Sequence, residues 1–263
     1  AGVFAELTQK LNESQQMVAG YRVDSWEADK LTGSNAGSRD ATLQSGFIRH
    51  ESLLTNGWMS YLGFGHTERA PDYWEAIGVN MGNGPSFATV KKEKNNQVDL
   101  GLNFKSALTS ATISTFYNKV DDFIAIKYNS SGNSVSADNI QAYTYGVELS
   151  GNHQLTSHVK LMGAAAYVQG RDQTHNMVLG QLSPLDLKLG ATYDDSVWSF
   201  GGLVRYIGAK SSYNNNGTNA WGNIAGYDFA NATKSATIFS LNAAYRATKK
   251  VKLYAGVDNL FDK

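Results

Sequence analysis

The sequence predicts an all-β chain, a transmembrane antiparallel β-barrel segment of about twelve up-and-down strands. Three observations predict it. Apolar and polar residues alternate with a period of two. The segments that do so are longer than the usual globular strand of ~5–6 residues and match the ~9–11 needed to cross a bilayer at a tilt. The connections between them are alternately short and long. Composition agrees: 263 residues hold 26 Gly, 14 Tyr and 3 Pro, too aromatic for disorder and too poor in proline for a collagen-like chain. Mean hydropathy is −0.34. No apolar run is long enough for a transmembrane helix, but strands that cross a membrane hide their signal in alternation.

Taken in order, strands are expected over 1–11, 16–27, 41–52 and 57–74. The next, 95–106, sets Val98, Leu100, Leu102 and Phe104 against Asp99, Gly101 and Asn103. After a strand over 109–128, the segment 141–152 sets Tyr143, Tyr145, Val147 and Leu149 against Thr144, Gly146 and Glu148. A strand over 158–171 is followed by 182–194, where Leu185, Leu187, Leu189, Ala191 and Tyr193 alternate with Asp186, Lys188, Gly190 and Thr192. The last three lie over 197–210, 235–247 and 250–261. In the final one Val251, Leu253, Ala255, Val257 and Phe261 oppose Lys252, Tyr254, Gly256 and Asp258. A helix would need apolar residues three and four apart, which these segments lack.

Short connections fall at 12–15, 53–56, 105–108, 154–157, 194–196 and 248–250. Long ones, rich in Asn, Gly and Ser, fall at 29–40, 78–94, 129–141, 172–181 and 211–234. Strict alternation fits a barrel with periplasmic turns on one rim and extracellular loops on the other. A soluble sandwich follows no such rule. The hairpin repeat of about 40–45 residues is also a propeller-blade period, but a blade needs four short strands and each repeat holds two long ones. No linker or second domain is visible. Trp26, Trp58, Tyr73, Trp74, Tyr143, Tyr193, Trp198, Tyr206, Tyr245 and Phe261 are expected at the ends of the apolar rows, as girdles at the two membrane interfaces. The opposite rows carry Glu6, Arg22, Asp24, Asp99, Asn103, Glu148, Asp186, Lys188, Arg205 and Asp258. Alternation alone allows these to face solvent or a wet lumen; strand length and loop asymmetry favour the lumen.

The same counts exclude several functions. Lys and Arg number 23, as do Asp and Glu, so the balanced charge argues against a nucleic-acid partner. The absence of Cys excludes a disulfide framework, a thiolate zinc site and a Cys nucleophile within this sequence. There is no G-x-S-x-G elbow and no Walker motif around the glycines at 82–84 or 201–202, so no enzyme is expected and no catalytic residue is assigned. AGVFAELTQK at 1–10 has neither the basic nor the apolar region of a signal peptide.

Two stretches go beyond pattern. Residues 251–263 read VKLYAGVDNLFDK and residues 63–75 read GFGHTERAPDYWE. The first, with Asn259, Leu260 and Phe261, resembles the penultimate strand of TonB-dependent outer-membrane receptors, with its G-V-x-N-L-F-D-K run. The second resembles their strand-to-loop segment, E-R-x-P-x-x-x-E. With His66, Glu68, Arg69, Pro71, Asp72, Tyr73, Trp74 and Glu75 in place, it looks most like the copper-receptor branch. Segments 120–123, 183–185, 189–190 and 238–246 add to the likeness, which covers essentially the whole chain.

The resemblance implies a receptor in the outer membrane of a Gram-negative bacterium that imports copper. Its partners would be outer-membrane lipid and lipopolysaccharide, a plug domain, and TonB acting through that plug. Copper would be the cargo, with no tightly held cofactor. The 66–75 cluster would hold the wall or the plug in place, although an exposed Glu–Arg pair is usually only a solvated salt bridge. Family barrels have about 22 strands. Residues 1–263 would then be a partial barrel domain, without plug, early strands or last strand. Such a segment either closes on itself or leaves two unpaired edges.

His175 and Met177 form an H-x-M pair in a long loop, and imidazole plus thioether suits Cu(I). They are candidate loop ligands for recruiting metal, with Met81 as a further member. The plainer reading is loop side chains without a ligand. Met17, Met59 and Met162 sit in strands and read as wall residues, and His50, His153 and His158 lie at or near short turns. The alternatives are a siderophore or cobalamin receptor of the same architecture, a passive porin-like channel, and a soluble β-sheet binding protein.

Overall fold

The structure, a computed structural model, describes residues 1–33, 35–78, 86–129, 133–179, 182–210 and 232–262. Twelve long strands appear where alternation predicts them: β1 (Gly2–Lys10), β2 (Gln15–Lys30), β3 (Gly37–Leu53), β4 (Trp58–Arg69), β5 (Glu93–Lys105), β6 (Thr109–Tyr128), β7 (Ser134–Gln154), β8 (Val159–Asp172), β10 (Asp186–Asp194), β11 (Trp198–Ile207), β12 (Ala236–Arg246) and β13 (Lys252–Val257). A two-residue strand, β9 (Met177–Val178), pairs with β8 off the main path. Every neighbour in the sheet is the next long strand in sequence and every pair is antiparallel, so the topology is up-and-down. Among the described residues β1 pairs only with β2 and β13 only with β12, so the sheet path is not closed.

The register carries the alternation across the sheet, with shifts only near the loop end of the β6–β7 pair, between Val120 and Phe123 and between Lys127 and Tyr128. Leu100 stands opposite Leu62 on one side and Thr115 on the other, and Val98 opposite Phe64 and Tyr117. Leu189 stands opposite Gly163 and Val204, and Val204 opposite Phe239. This face leaves large side chains bare: Leu100 is 53% and Leu189 69% exposed. The reverse face carries the predicted polar rows. Arg22 bonds Asp24 at 2.5 Å, Arg49 reaches Glu51 at 2.6 Å, and Arg205 reaches Asp186 at 2.8 Å. Residues two apart share a face of a strand, which is why these pairs form along single strands or, for Arg205 and Asp186, diagonally between neighbours. Glycine makes room there: a Cβ on Gly101 would lie 2.3 Å from the Tyr61 ring.

Side chains lock the short turns. Asn12 Oδ1 accepts from the Ser14 N–H, Ser106 Oγ from Thr109, Thr156 Oγ1 from His158 and Val159, and Thr248 Oγ1 from Lys250 and Val251. These are the local bonds that make such residues turn formers.

Several predicted boundaries shift. β4 stops at Arg69, not 74, because the backbone turns at Pro71, which has no N–H to give a ladder, and enters the helical turn Trp74–Gly78. Tyr73 and Trp74 therefore lie beyond the strand, and Trp26 falls on the polar face with Arg22 and Asp24. Strand runs into the long connections: β2 and β3 take half of 29–40 and pair as far as Lys30–Gly37, and β7 takes most of 129–141, with β6 and β7 paired as far as Tyr128–Ser134. Paired backbone needs no apolar side chain, so polar strand read as loop. β13 ends at Val257, where the chain turns through Asn259 and Asp262 at φ 53° and 51°.

The described buried core lies at the loop end. Val90, Ile124 and Ala137 pack together there with Ile126 against them. The helical turn Ser86–Thr89 caps the outer ends of β6 and β7, with Ser86 Oγ accepting from the Ala137 N–H at 2.7 Å.

Candidate functional site

Of the residues singled out in 66–75, Arg69, Asp72 and Glu75 assemble into one network at the outer end of β4. Asp72 and Glu75 form a reciprocal capping box: the Glu75 N–H donates to Asp72 Oδ1 at 2.7 Å and the Asp72 N–H to Glu75 Oε2 at 2.8 Å. Arg69 sends Nη1 and Nη2 to the two Glu75 oxygens at 2.8 and 2.9 Å, a bidentate fork. Its Nε reaches Glu93 Oε2 at 2.7 Å. Glu93 Oε1 in turn accepts from the Ile124 N–H at 2.7 Å. That N–H is available because β6 bulges between Val120 and Phe123, with Asp122 at φ 58°. The motif thus joins β4, the helical turn Trp74–Gly78, β5 and β6.

Glu68 and His66 point to the other face. Glu68 Oε2 accepts from Lys92 Nζ at 2.6 Å and from the Gln44 N–H at 2.9 Å. His66 Nδ1 lies 2.8 Å from Asn96 Oδ1. Tyr73 is 72% exposed and Trp74 packs its ring over Gly78. Near the C-terminal end, Leu260 N–H donates to Phe239 O at 2.9 Å, and the Phe261 ring meets Phe239 edge-on at 5.2 Å. Asn259 supplies the left-handed turn between them and β13.

Three further residues of the rim were not legible in the sequence. Arg39 donates to the carbonyls of Phe87 and Val90 at 2.5 and 2.6 Å. Asn139 donates to Lys91 O and Asp122 O and accepts from the Lys91 N–H. Glu93 ties Arg69 to the bulge. All three act across 17 or more residues of sequence, and no local spacing announces such contacts.

His175 lies in the turn after β8. Its Nδ1 is 2.7 Å from Asp172 Oδ2 and its N–H donates to Asp172 Oδ1. Asp172, 2% exposed, pairs in register with Met177. His175 is therefore held to a buried carboxylate, with Met177 opposite that aspartate in register. Met81 lies outside the described residues. No group of three or more His, Cys, Asp or Glu side chains able to hold a metal occurs among the described residues.

On the polar face, the side-chain oxygens of Asn95 and Asn118 are buried without a hydrogen-bond donor among the described residues. They face the same side as Gln97 and Asp99.

The model of the "TonB dependent receptor-like, beta-barrel" family matches residues 1–260. Among solved structures, the chain is similar to the copper transporter OprC, with 35% identity and a TM-score of 0.88 over 100% of this chain and 41% of that one. It is similar to the FrpB iron transporter from Neisseria meningitidis (F3-3 variant) at 16% identity and TM-score 0.76, covering 100% and 41%. The ferric yersiniabactin uptake receptor FyuA from Yersinia pestis gives 14% and 0.75, covering 100% and 40%. At these last two identities the likeness is one of fold. The chain spans 41%, 41% and 40% of the lengths of these three proteins. No curated protein matches it.

Proposed function

The chain belongs to the TonB-dependent receptor β-barrel family, whose members are transporters and not enzymes, and from this premise we propose that it forms part of the wall of an outer-membrane receptor that imports copper. One observation carries the copper reading. Identity to the copper transporter is 35% along the whole chain, against 16% and 14% to the iron and siderophore proteins.

In this reading the apolar face lies in lipid and the polar face lines the lumen. A plug domain, elsewhere in the full protein, packs on the lumenal wall and gates it, and TonB acts through that plug. The wall performs no chemistry. Its contribution is rigidity, and the Arg69 network serves that at the rim. Copper is cargo, and His175 and Met177, with Met81, form a loop site that raises its local concentration.

The test is copper accumulation in cells that express the full gene, with and without TonB, measured by elemental mass spectrometry. Uptake should require TonB and should exceed uptake of a ferric siderophore. Equal copper accumulation in both strains overturns the reading. His175→Ala with Met177→Leu should lower uptake at scarce copper while leaving saturated uptake unchanged.

A further inference from the structure

One short turn differs from the others in charge. From Arg246, the last residue of β12, to Lys252, the first of β13, the chain reads RATKKVK. Arg246, Lys249, Lys250 and Lys252 stand there with no acidic residue among them. The other short turns, taken likewise from strand end to strand start, are neutral, acidic or singly charged. Lys10 is offset by Glu13, Lys105 stands alone, and Asp194 and Asp195 are acidic. The turns at Leu53–Trp58 and Gln154–Val159 hold no Lys, Arg, Asp or Glu. The whole sequence has 23 basic and 23 acidic side chains, so this excess is local.

The turn holds its cations in a fixed arrangement. Thr248 Oγ1 accepts from the Lys250 and Val251 N–H groups, each at 3.1 Å. The Arg246 N–H donates to the Val197 carbonyl at 2.8 Å, which ties the turn to its neighbour. Arg246 and Lys252 are register partners and share a face. It is the polar face, that of Asn242 and of Ile238 opposite Arg205. Lys252 Nζ lies 5.0 Å from the centroid of the Tyr254 ring on that face. Tyr245 and Leu253 point the other way, and the Tyr245 ring lies 4.4 Å from that of Trp198. Lys249 is three residues from either strand end, so the tip lies within about 11 Å of both.

All four cations are exposed, and none is ion-paired among the described residues. The carboxylates of the adjoining turn are engaged within it. Asp195 accepts from the Val197 and Trp198 N–H groups and the Tyr193 hydroxyl, and Asp194 from the Ser196 N–H. At 0.1 M salt charges interact over ~10 Å, so the four repel one another and gain from an anion that spans them.

Three kinds of anion reach this rim. Headgroups of the inner leaflet lie beside Tyr245 and Leu253, on the side away from Arg246 and Lys252. A segment packed inside the lumen meets Arg246 and Lys252 but not the tip. A polyanion beneath the rim meets the tip and the lumenal side together. Resting on the outer-membrane reading above, in which the short turns face the periplasm, we propose that Arg246, Lys249, Lys250 and Lys252 form a docking site for the cell-wall polymer, whose peptide stems carry carboxylates. The Arg246 guanidinium suits a fork to one carboxylate, and the lysines act as point charges on others.

The test is co-sedimentation of the full-length receptor with purified peptidoglycan sacculi at low salt. The receptor is held in nanodiscs of phosphatidylethanolamine and phosphatidylglycerol. The comparison protein carries Arg246→Gln, Lys249→Gln, Lys250→Gln and Lys252→Gln together. Pelleting should fall about tenfold in this variant, and about threefold when either the Arg246 and Lys252 pair or the Lys249 and Lys250 pair is changed alone. Salt at ~1 M, where charges interact over only ~3 Å, should release the native receptor. Sacculi with amidated carboxyl groups should retain it weakly. Equal pelleting of the native and quadruple proteins, or equal retention by amidated sacculi, overturns the proposal. Retention in detergent but not in nanodiscs gives the cations to lipid headgroups and overturns it too, as does a loss confined to one pair. Heat-modifiable gel mobility checks folding; if the quadruple variant fails, Lys249→Gln with Lys250→Gln, both outside the strands, is used. Copper accumulation in the same strains separates the two ideas. TonB-dependent uptake without sacculus binding removes the docking site alone, and sacculus binding without such uptake removes the copper reading alone.

Discussion

Arg69 holds two carboxylates at once, and no other cation can do so from that position. Its fork takes both oxygens of Glu75 while Nε takes Glu93. A lysine has the charge without the planar spacing. Arg69→Lys is therefore expected to cost about 1–2 kcal/mol of stability. Guanidinium unfolding of the full receptor in micelles measures it, and an unchanged midpoint would sink the assignment. A second residue sets a pH dependence. Asp195, in the turn between β10 and β11, accepts from the Trp198 and Val197 N–H groups, and these hold its carboxyl below the usual carboxylate range. The folded value is the lower one. The turn's stabilisation is thus complete above the ordinary value near 3.9 and is lost as pH falls through the folded value. Protection of the Trp198 amide, its exchange rate taken against the intrinsic rate at each pH, should fall in acid, and Asp195→Asn should flatten that response. An equally steep acid response in the variant would refute the link. Both residues sit in legible motifs, but only one of Arg69's partners was legible. Glu75 follows it by six residues; Glu93 arrives from the next strand.

The β3–β4 hairpin turns on Asn56 at φ 61° and Gly57 at φ 82°. Asn followed by Gly is the sequence signal for two left-handed residues. The reason for glycine at the second position is not in the hairpin itself. A Cβ on Gly57 would lie 2.2 Å from the Lys105 carbonyl oxygen, on the neighbouring hairpin. Gly57→Ala should cost about 1–3 kcal/mol, whereas Asn56→Gly should be nearly neutral. Chemical unfolding of the two variants tests this; equal midpoints would show that the approach to Lys105 is relieved without cost. Elsewhere, alternation located every long strand because each has one apolar row. It failed at the outer ends of β2, β3 and β7, which run on as paired backbone beyond the predicted bounds. It also missed β9, two residues being too few to show a period.

Across the whole sheet the two faces respond oppositely to charge. Leu100 lies on the bare apolar face, and Ser114 lies on the polar face opposite Glu148. Arginine at the lipid midplane costs about 2–4 kcal/mol, and on a lumenal wall much less. Leu100→Arg should lower the unfolding free energy in lipid vesicles by that amount, while Ser114→Arg stays within about 1 kcal/mol. Similar losses in both would mean that the apolar face is not in lipid. The sequence by itself determined the alternation, the up-and-down order, the division into two kinds of connection and the likeness of its two motifs. All of these depend on near neighbours along the chain, where a period of two or a turn residue has a direct physical effect. Contacts across the sheet add that Glu93 and the β6 bulge complete the Arg69 network, that Arg39 and Asn139 close the rim, and that Asp172 holds His175 with Met177 opposite it in register. They also set Arg246 beside Lys252 on the polar face. Such groupings follow from register between strands, which hydrogen-bond pairing sets across the sheet and which no spacing within one strand can express.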